Sequence, residues 1–325
     1  MLLAEQAREH REKGDYFLAL TYAKGGDSAL CWAERARALN WLGQPEEAND
    51  AAKVAMEKAT KESNEVQIDA TLALASTQLG TGNYATGLDL ANQANQQVNA
   101  DTRAELSCQV QITLAAANAA SGNTNIAILK ADLAVEIARN CRPRTLAEAL
   151  HSLADSYHRD KRFFEAMETW KNALAIRRKC LGPHHPEVAT NVDSLALTLR
   201  RINLPQLAIS LHQEALKIYR IKFAADHPGI AACLHGLAQA QHRCKHFTEA
   251  QKNVEKALQI SQQRLGEDHP DTWVTRFELG RMEVDSGNLV SGVQRMEHAR
   301  MRLASLLGEN HPTVKAMDKW RQLKQ

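Results

Sequence analysis

Between Pro186 and Arg201 the apolar residues Val188, Val192, Leu195, Ala196 and Leu199 recur at three- and four-residue spacing, which lines them along one face of a helix. The pattern predicts an amphipathic helix. A turn around Ile202, Asn203, Leu204 and Pro205 interrupts it, and a second stripe follows with Leu207, Ala208, Leu211, Ala215, Leu216 and Ile218. Together the two stripes predict a helical hairpin.

The hairpin repeats. His-Pro occurs at His185-Pro186, His227-Pro228, His269-Pro270 and His311-Pro312, each pair 42 residues after the last. Leu153-Ala154, Leu195-Ala196, Leu237-Ala238 and Leu279-Gly280 keep that register, as do Ala173, Ala215, Ala257 and Ala299. Gly182, Gly266 and Gly308 are placed to end helices in a left-handed conformation, and each following Pro suits the first turn of the next helix. His-Pro therefore reads as punctuation. Upstream, turn positions Gly43, Gly82, Gly122, Lys161, Asn203, Lys245 and Gly287 are separated by 39, 40, 39, 42, 42 and 42 residues. A small residue stands five places after each: Ala48, Gly87, Ala127, Ala166, Ala208, Ala250 and Gly292. Small side chains there let the two helices of a pair cross closely.

A short first hairpin around Gly14 and Ala19, and an unpaired last helix from Pro312 to Lys324, complete about eight hairpins and a C-terminal capping helix. The capping stripe is Val314, Met317, Trp320 and Leu323, with Lys315, Asp318, Lys319 and Lys324 facing water. One hairpin cannot bury its apolar face, whereas stacked neighbours share a continuous core. The expected fold is all-α, a right-handed superhelical solenoid with an inner groove as its working surface. Residues 1–143 are expected to form divergent hairpins and residues 144–325 regular 42-residue ones, within one continuous solenoid.

The string Leu265-Gly266-Glu267-Asp268-His269-Pro270-Asp271, the recurring Leu-Ala pair and the ending Ala257-Leu258-Gln259-Ile260 resemble the tetratricopeptide repeats of the kinesin light chain family. The resemblance covers residues 144–325 and implies a peptide-binding groove. It has two departures. No heptad segment precedes the repeats, so a motor subunit is not expected. The family's groove carries Asn-Asn before the Leu-Ala pair, where this chain has His151-Ser152, Asp193-Ser194, His235-Gly236 and Phe277-Glu278.

Composition narrows the function. Six cysteines without a CxxC pair, no signal-peptide core and no long apolar run point to a cytoplasmic protein that does not cross membranes. Residues 1–143 carry 13 Lys/Arg against 18 Asp/Glu, a net −5, and residues 144–325 carry 27 against 20, a net +7. The later half is thus the expected docking surface for an acidic protein or peptide, and its charge falls short of a nucleic-acid footprint. No phosphate loop, nucleophile elbow or metalloprotease helix occurs, so no catalytic residue, cofactor or enzymatic activity is expected. Neighbouring His-Pro histidines stand a hairpin apart, with helix axes roughly 8–10 Å apart, too far to share a metal ion bound at about 2 Å.

The candidate binding residues form a strip along the first helices. His158-Arg159, Arg200-Arg201 and His242-Arg243 end those helices in register, and His151, Asp193 and His235 lie two turns earlier. Asp155, Leu197, Gln239 and Arg281 complete the face. Favourable charge–dipole interaction at a helix end would by itself account for basic residues there, but not for the accompanying histidines. Those histidines suggest affinity that rises on mild acidification. Tyr157, Phe163, Phe164 and Trp170 are assigned to the core. The groove is expected to hold an acidic peptide of a partner; the alternative is a regulatory sensor that closes on a short signalling peptide or small ligand.

Overall fold

The computed structural model describes residues 2–322, with side chains through Lys319. Those residues form seventeen helices and no strand. They are α1 (Leu2–Glu12), α2 (Tyr16–Lys24), α3 (Ala29–Trp41), α4 (Pro45–Ala59), α5 (Asn64–Gly80) and α6 (Tyr84–Gln97). Then come α7 (Ala104–Ala120), α8 (Thr124–Ala138), α9 (Pro143–Arg159), α10 (Phe163–Leu181), α11 (Pro186–Arg201) and α12 (Pro205–Lys222). The chain ends with α13 (Pro228–Arg243), α14 (Phe247–Arg264), α15 (Pro270–Asp285), α16 (Leu289–Leu307) and α17 (Pro312–Gln322). Eight hairpins and a final helix result, as the periodicity predicts. None of the described helices is long and apolar enough to cross a membrane.

Each hairpin bends at a residue with positive φ, and these are the turn positions read from the spacing. Gly14, Gly43, Gly82, Gly122 and Gly287 have φ between 71° and 98°, while Lys161, Asn203 and Lys245 reach 66°, 64° and 64° with a Cβ present. The small residues five places on are all buried. Their tightest crossing joins α15 to α16, where a Cβ built on Gly280 would stand 2.7 Å from the carbonyl oxygen of Gly292.

The His-Pro motif is a helix cap with an identifiable bond. Nδ1 of His185, His227, His269 and His311 accepts the backbone N–H two residues on, from Glu187, Gly229, Asp271 and Thr313, at 3.0–3.3 Å. Gly182 and Gly308 do not take the left-handed helical conformation expected of them. Their φ of 84° and 87° combine with ψ of 160° and 150°, an extended region open essentially to glycine alone. Where the repeat has Ala224 instead, α12 stops earlier and Phe223 supplies an extended residue at φ −129°.

The chain divides into two compact units, Met1–Thr198 and Leu199–Gln325. In the N-terminal unit successive first helices touch one another, α1 with α3, α3 with α5, α5 with α7 and α7 with α9. The α1–α2 turn also meets much later residues. A Cβ on Gly14 would lie 2.9 Å from Cδ of Pro186, and Arg142 reaches Glu12 at 3.4 Å. In the C-terminal unit α13 contacts α15, and Val314 and Met317 of α17 pack with Trp273, Phe277 and Leu303. Trp320, Leu323 and Lys324 of the capping stripe lie outside the described side chains. Two core assignments fail: Leu207 is 54% exposed and Phe164 is 68% exposed, both in the first turn of a second helix, where the hairpin edge meets water.

Candidate functional site

The candidate strip falls into both units. His151, Asp155, His158, Arg159, Asp193 and Leu197 belong to the first, and Arg200, Arg201, His235, Gln239, His242, Arg243 and Arg281 to the second. Their surroundings differ sharply in charge balance.

In the N-terminal unit the charges of the first helices are consumed internally. Glu34, 1% exposed, accepts from Arg8 at 3.1 Å, Arg11 at 2.7 Å and Arg37 at 3.0 Å, and Arg37 also holds Asp69 at 2.8 Å. Burial alone would raise the Glu34 carboxyl, but Arg11, Arg37 and Arg8 hold it well below the usual carboxylate range. Arg144 bridges Glu187, Glu148 and Glu12, and Arg177 lies 3.6 Å from Glu187. Six guanidiniums, of Arg8, Arg11, Arg37, Arg142, Arg144 and Arg177, thus meet five carboxylates, of Glu12, Glu34, Asp69, Glu148 and Glu187, and only Arg142 among the six is largely exposed. The buried charges of this network are answered within it.

His151 sits in the same network, its Nδ1 3.3 Å from Nη1 of Arg177. Burial and then the Arg177 charge push its pKa down to about 3. Arg159 is held by Asp155 at 2.8 Å, which neutralises that step of the ladder. His158 places Nδ1 2.9 Å from the Thr198 hydroxyl, with its ring edge-on to Phe163 and beside Trp170. Asp193 and Leu197 are half-buried on α11.

The C-terminal unit leaves its charge unbalanced. Arg200, at the end of α11, is only 9% exposed, and its Nε is buried without a hydrogen-bond partner. The charges acting on it are those of Arg201, Glu278, Arg243 and Arg281. Glu278 is already paired with Arg281 at 2.7 Å. Arg243, at the end of α13, donates from Nη1 to the Arg200 carbonyl at 3.2 Å, which brings its guanidinium beside the Arg200 backbone. Burial first, and then the Arg201 charge, lower Arg200 from the ordinary guanidinium value to about 10. His235 contacts the Thr275 hydroxyl at 3.2 Å, and burial lowers its pKa as well. Gln239 is buried on the same helix, and Nε2 of His242 lies 3.4 Å from Asp285. At both His151 and His235 burial disfavours the protonated ring on which acid-strengthened binding would depend.

Two features escape the sequence reading. Glu278 anchors Arg281, yet it shows in the sequence only as half of an atypical Phe-Glu pair. A cavity of about 500 Å³ opens among α12, α13 and α14, lined by Leu216, Leu234 and Leu237 together with Lys217, Arg220 and Gln241. Its lining comes from three helices, so no local pattern marks it.

Family models for the tetratricopeptide repeat match residues 145–221 and 230–271. No curated protein sequence matches the chain. Among solved structures, nearly identical TPR-like repeats of a Podosopora anserina kinesin light chain candidate align at 23% identity, covering 63% of this chain and 98% of that one, with a TM-score of 0.49. A Rap protein complexed with competence and sporulation factor aligns at 15% identity over 89% of this chain and 80% of that one, with a TM-score of 0.65. The APC/C hetero-tetramer Cut9-Hcn1 aligns at 12% identity over 98% of this chain and 55% of that one, with a TM-score of 0.68. Tetratricopeptide repeats thus occupy residues 145–221 and 230–271, and the described residues have the fold of stacked tetratricopeptide hairpins.

Proposed function

We propose that this tetratricopeptide repeat chain is a non-enzymatic, cytoplasmic adaptor that holds an acidic peptide segment of a partner protein on the first helices of its C-terminal unit. The observation that carries the reading is Arg200, a guanidinium withdrawn from water among Arg201, Arg243 and Arg281 with one carboxylate already committed to Arg281. A buried charge without a matching counter-charge costs stability. Retaining one is readily explained if a ligand supplies the missing negative charge. The internally paired network of the N-terminal unit, by contrast, suits a scaffold role.

The test begins with capture of a partner on the purified chain and mapping of the bound segment. Affinity for that segment is then compared between the wild type and the Arg200→Glu, Arg243→Glu double variant. Exposed ion pairs contribute about 0.2–1 kcal/mol each, so single exposed changes should weaken binding modestly. The double reversal should weaken binding by about tenfold or more, and binding should fall with added salt. A folded double variant that binds as tightly as the wild type refutes the assignment. Compaction of the chain on a short peptide or small ligand, without a stable protein partner, would instead favour the sensor.

A further inference from the structure

The arginine cluster of the C-terminal unit also restricts which acidic group it can take. Arg200, Arg243 and Arg281 come from three successive first helices, α11, α13 and α15, and Arg201 adds a fourth guanidinium. Each is tied differently. Arg243 is fixed by its bond to the Arg200 carbonyl, Arg281 by its pair with Glu278, and Arg200 by burial of its Nε. Burial lowers the His235 pKa and so disfavours a positive charge on its ring. Among the main charges acting on Arg200, the one carboxylate is that of Glu278, and it is already paired with Arg281.

A side-chain carboxylate offers one negative charge and two oxygens in a plane. It could engage two guanidiniums at most in bidentate fashion. A phosphate monoester offers close to two negative charges near neutral pH and three terminal oxygens directed tetrahedrally. Three oxygens suit three guanidiniums that arrive from three helices, and arginine's planar fork pairs well with phosphate.

Resting on the acidic-peptide reading above, we infer that the Arg200–Arg243–Arg281 cluster is a phosphate-monoester site, whose natural occupant is a phosphorylated side chain within an acidic segment of the partner. The unpartnered Arg200 Nε is the donor that a carboxylate at the rim would leave unmet. Arg243, the exposed member, is the donor that meets the ligand first.

Two labelled acidic peptides of the same sequence, one with a central phosphoserine and one with glutamate at that position, test this by fluorescence anisotropy on the full chain. The phosphoserine peptide should bind about tenfold more tightly. Inorganic phosphate should compete for it better than chloride at matched ionic strength. Arg200→Gln should abolish the difference between the peptides. Should that variant fail to fold, Arg243→Gln at the exposed member should reduce the same difference by severalfold. Equal affinity for the two peptides overturns the phosphate assignment and leaves the acidic-peptide reading standing. If neither peptide binds in low salt, both fall. A phosphoserine preference that survives Arg200→Gln and Arg243→Gln moves the site elsewhere and overturns the assignment as well.

Discussion

Replacing Arg200 by Met should stabilise the protein while removing its affinity for acidic ligands. The side chain is buried, and its charged form is disfavoured by burial and by Arg201, Arg243 and Arg281, with Glu278 as the opposing influence. Lowering a guanidinium from its ordinary value to about 10 corresponds to roughly 3 kcal/mol of penalty on the charged form. The sign follows from linkage: the unfolded chain binds this proton more tightly than the folded one, so the penalty is in full force at every pH below about 10. Methionine keeps a long flexible stem and a comparable helix propensity, so the packing lost is small. The hydrogen bond from Arg243 ends on the Arg200 backbone carbonyl and survives the change. Allowing for relaxation around the site, a gain of about 1–3 kcal/mol is expected. Urea unfolding at pH 7 should show a higher midpoint at an unchanged slope. A variant less stable than the wild type by about 1 kcal/mol or more would mean that Arg200 is well paired in the folded protein. The charge argument for the site would then be wrong.

Gly280→Ala should destabilise by about 1–2 kcal/mol despite alanine's better helix propensity, because the new Cβ meets a backbone oxygen at 2.7 Å; calorimetry on the full chain checks it. Gly87→Ala should cost less, since its closest contacts are the movable Leu79 side-chain carbons. His151 makes stability fall with acid: neutral when folded down to about pH 3, it contributes fully above its unfolded pKa near 6.5, and that contribution is lost between the two values. His151→Gln should flatten the decline of unfolding midpoint between pH 6.5 and pH 4; an unchanged slope would count against the buried neutral ring. Lys245→Gly, at φ 64°, should stabilise by about 0.5 kcal/mol as left-handed strain outweighs glycine's entropy; a lower melting temperature would refute it.

The hairpin count was legible because periodic residues do periodic jobs: every turn position read from the spacing has positive φ, and every small residue five places on is buried. The His-Pro motif was legible as punctuation, although its Nδ1 bond to the second backbone N–H needed coordinates. Leu207 and Phe164 were misplaced because periodicity assigns a face, while the first turn of a second helix lies at an edge that its neighbours do not cover. The ionic network was out of reach for another reason. Arg11 and Glu34 stand 23 residues apart, and Glu12 and Arg142 stand 130 apart, separations that no helical repeat encodes. For the candidate site, the face of Arg200, Arg243 and Arg281 could be read, but not the burial of Arg200 or the burial that lowers the pKa of His151 and His235.

Repeat proteins fold as near one-dimensional chains, in which each hairpin is stabilised only by its neighbours and a defect stays local. The contact of Gly14 with His185 and Pro186, together with the Glu12–Arg142 pair, breaks that rule inside the N-terminal unit. These contacts join positions well over a hundred residues apart, so the chain between them must be ordered before they form, a loop-closure cost that slows folding. Once made, they couple the first hairpin to the fifth. Fraying at α1 is then opposed from a distant part of the unit, and removing the first hairpin should loosen backbone amides at the start of α9 and α11 as well as in α3. Hydrogen exchange would register this as one long cooperative block where an ordinary repeat array would show a gradient of protection decaying from its end.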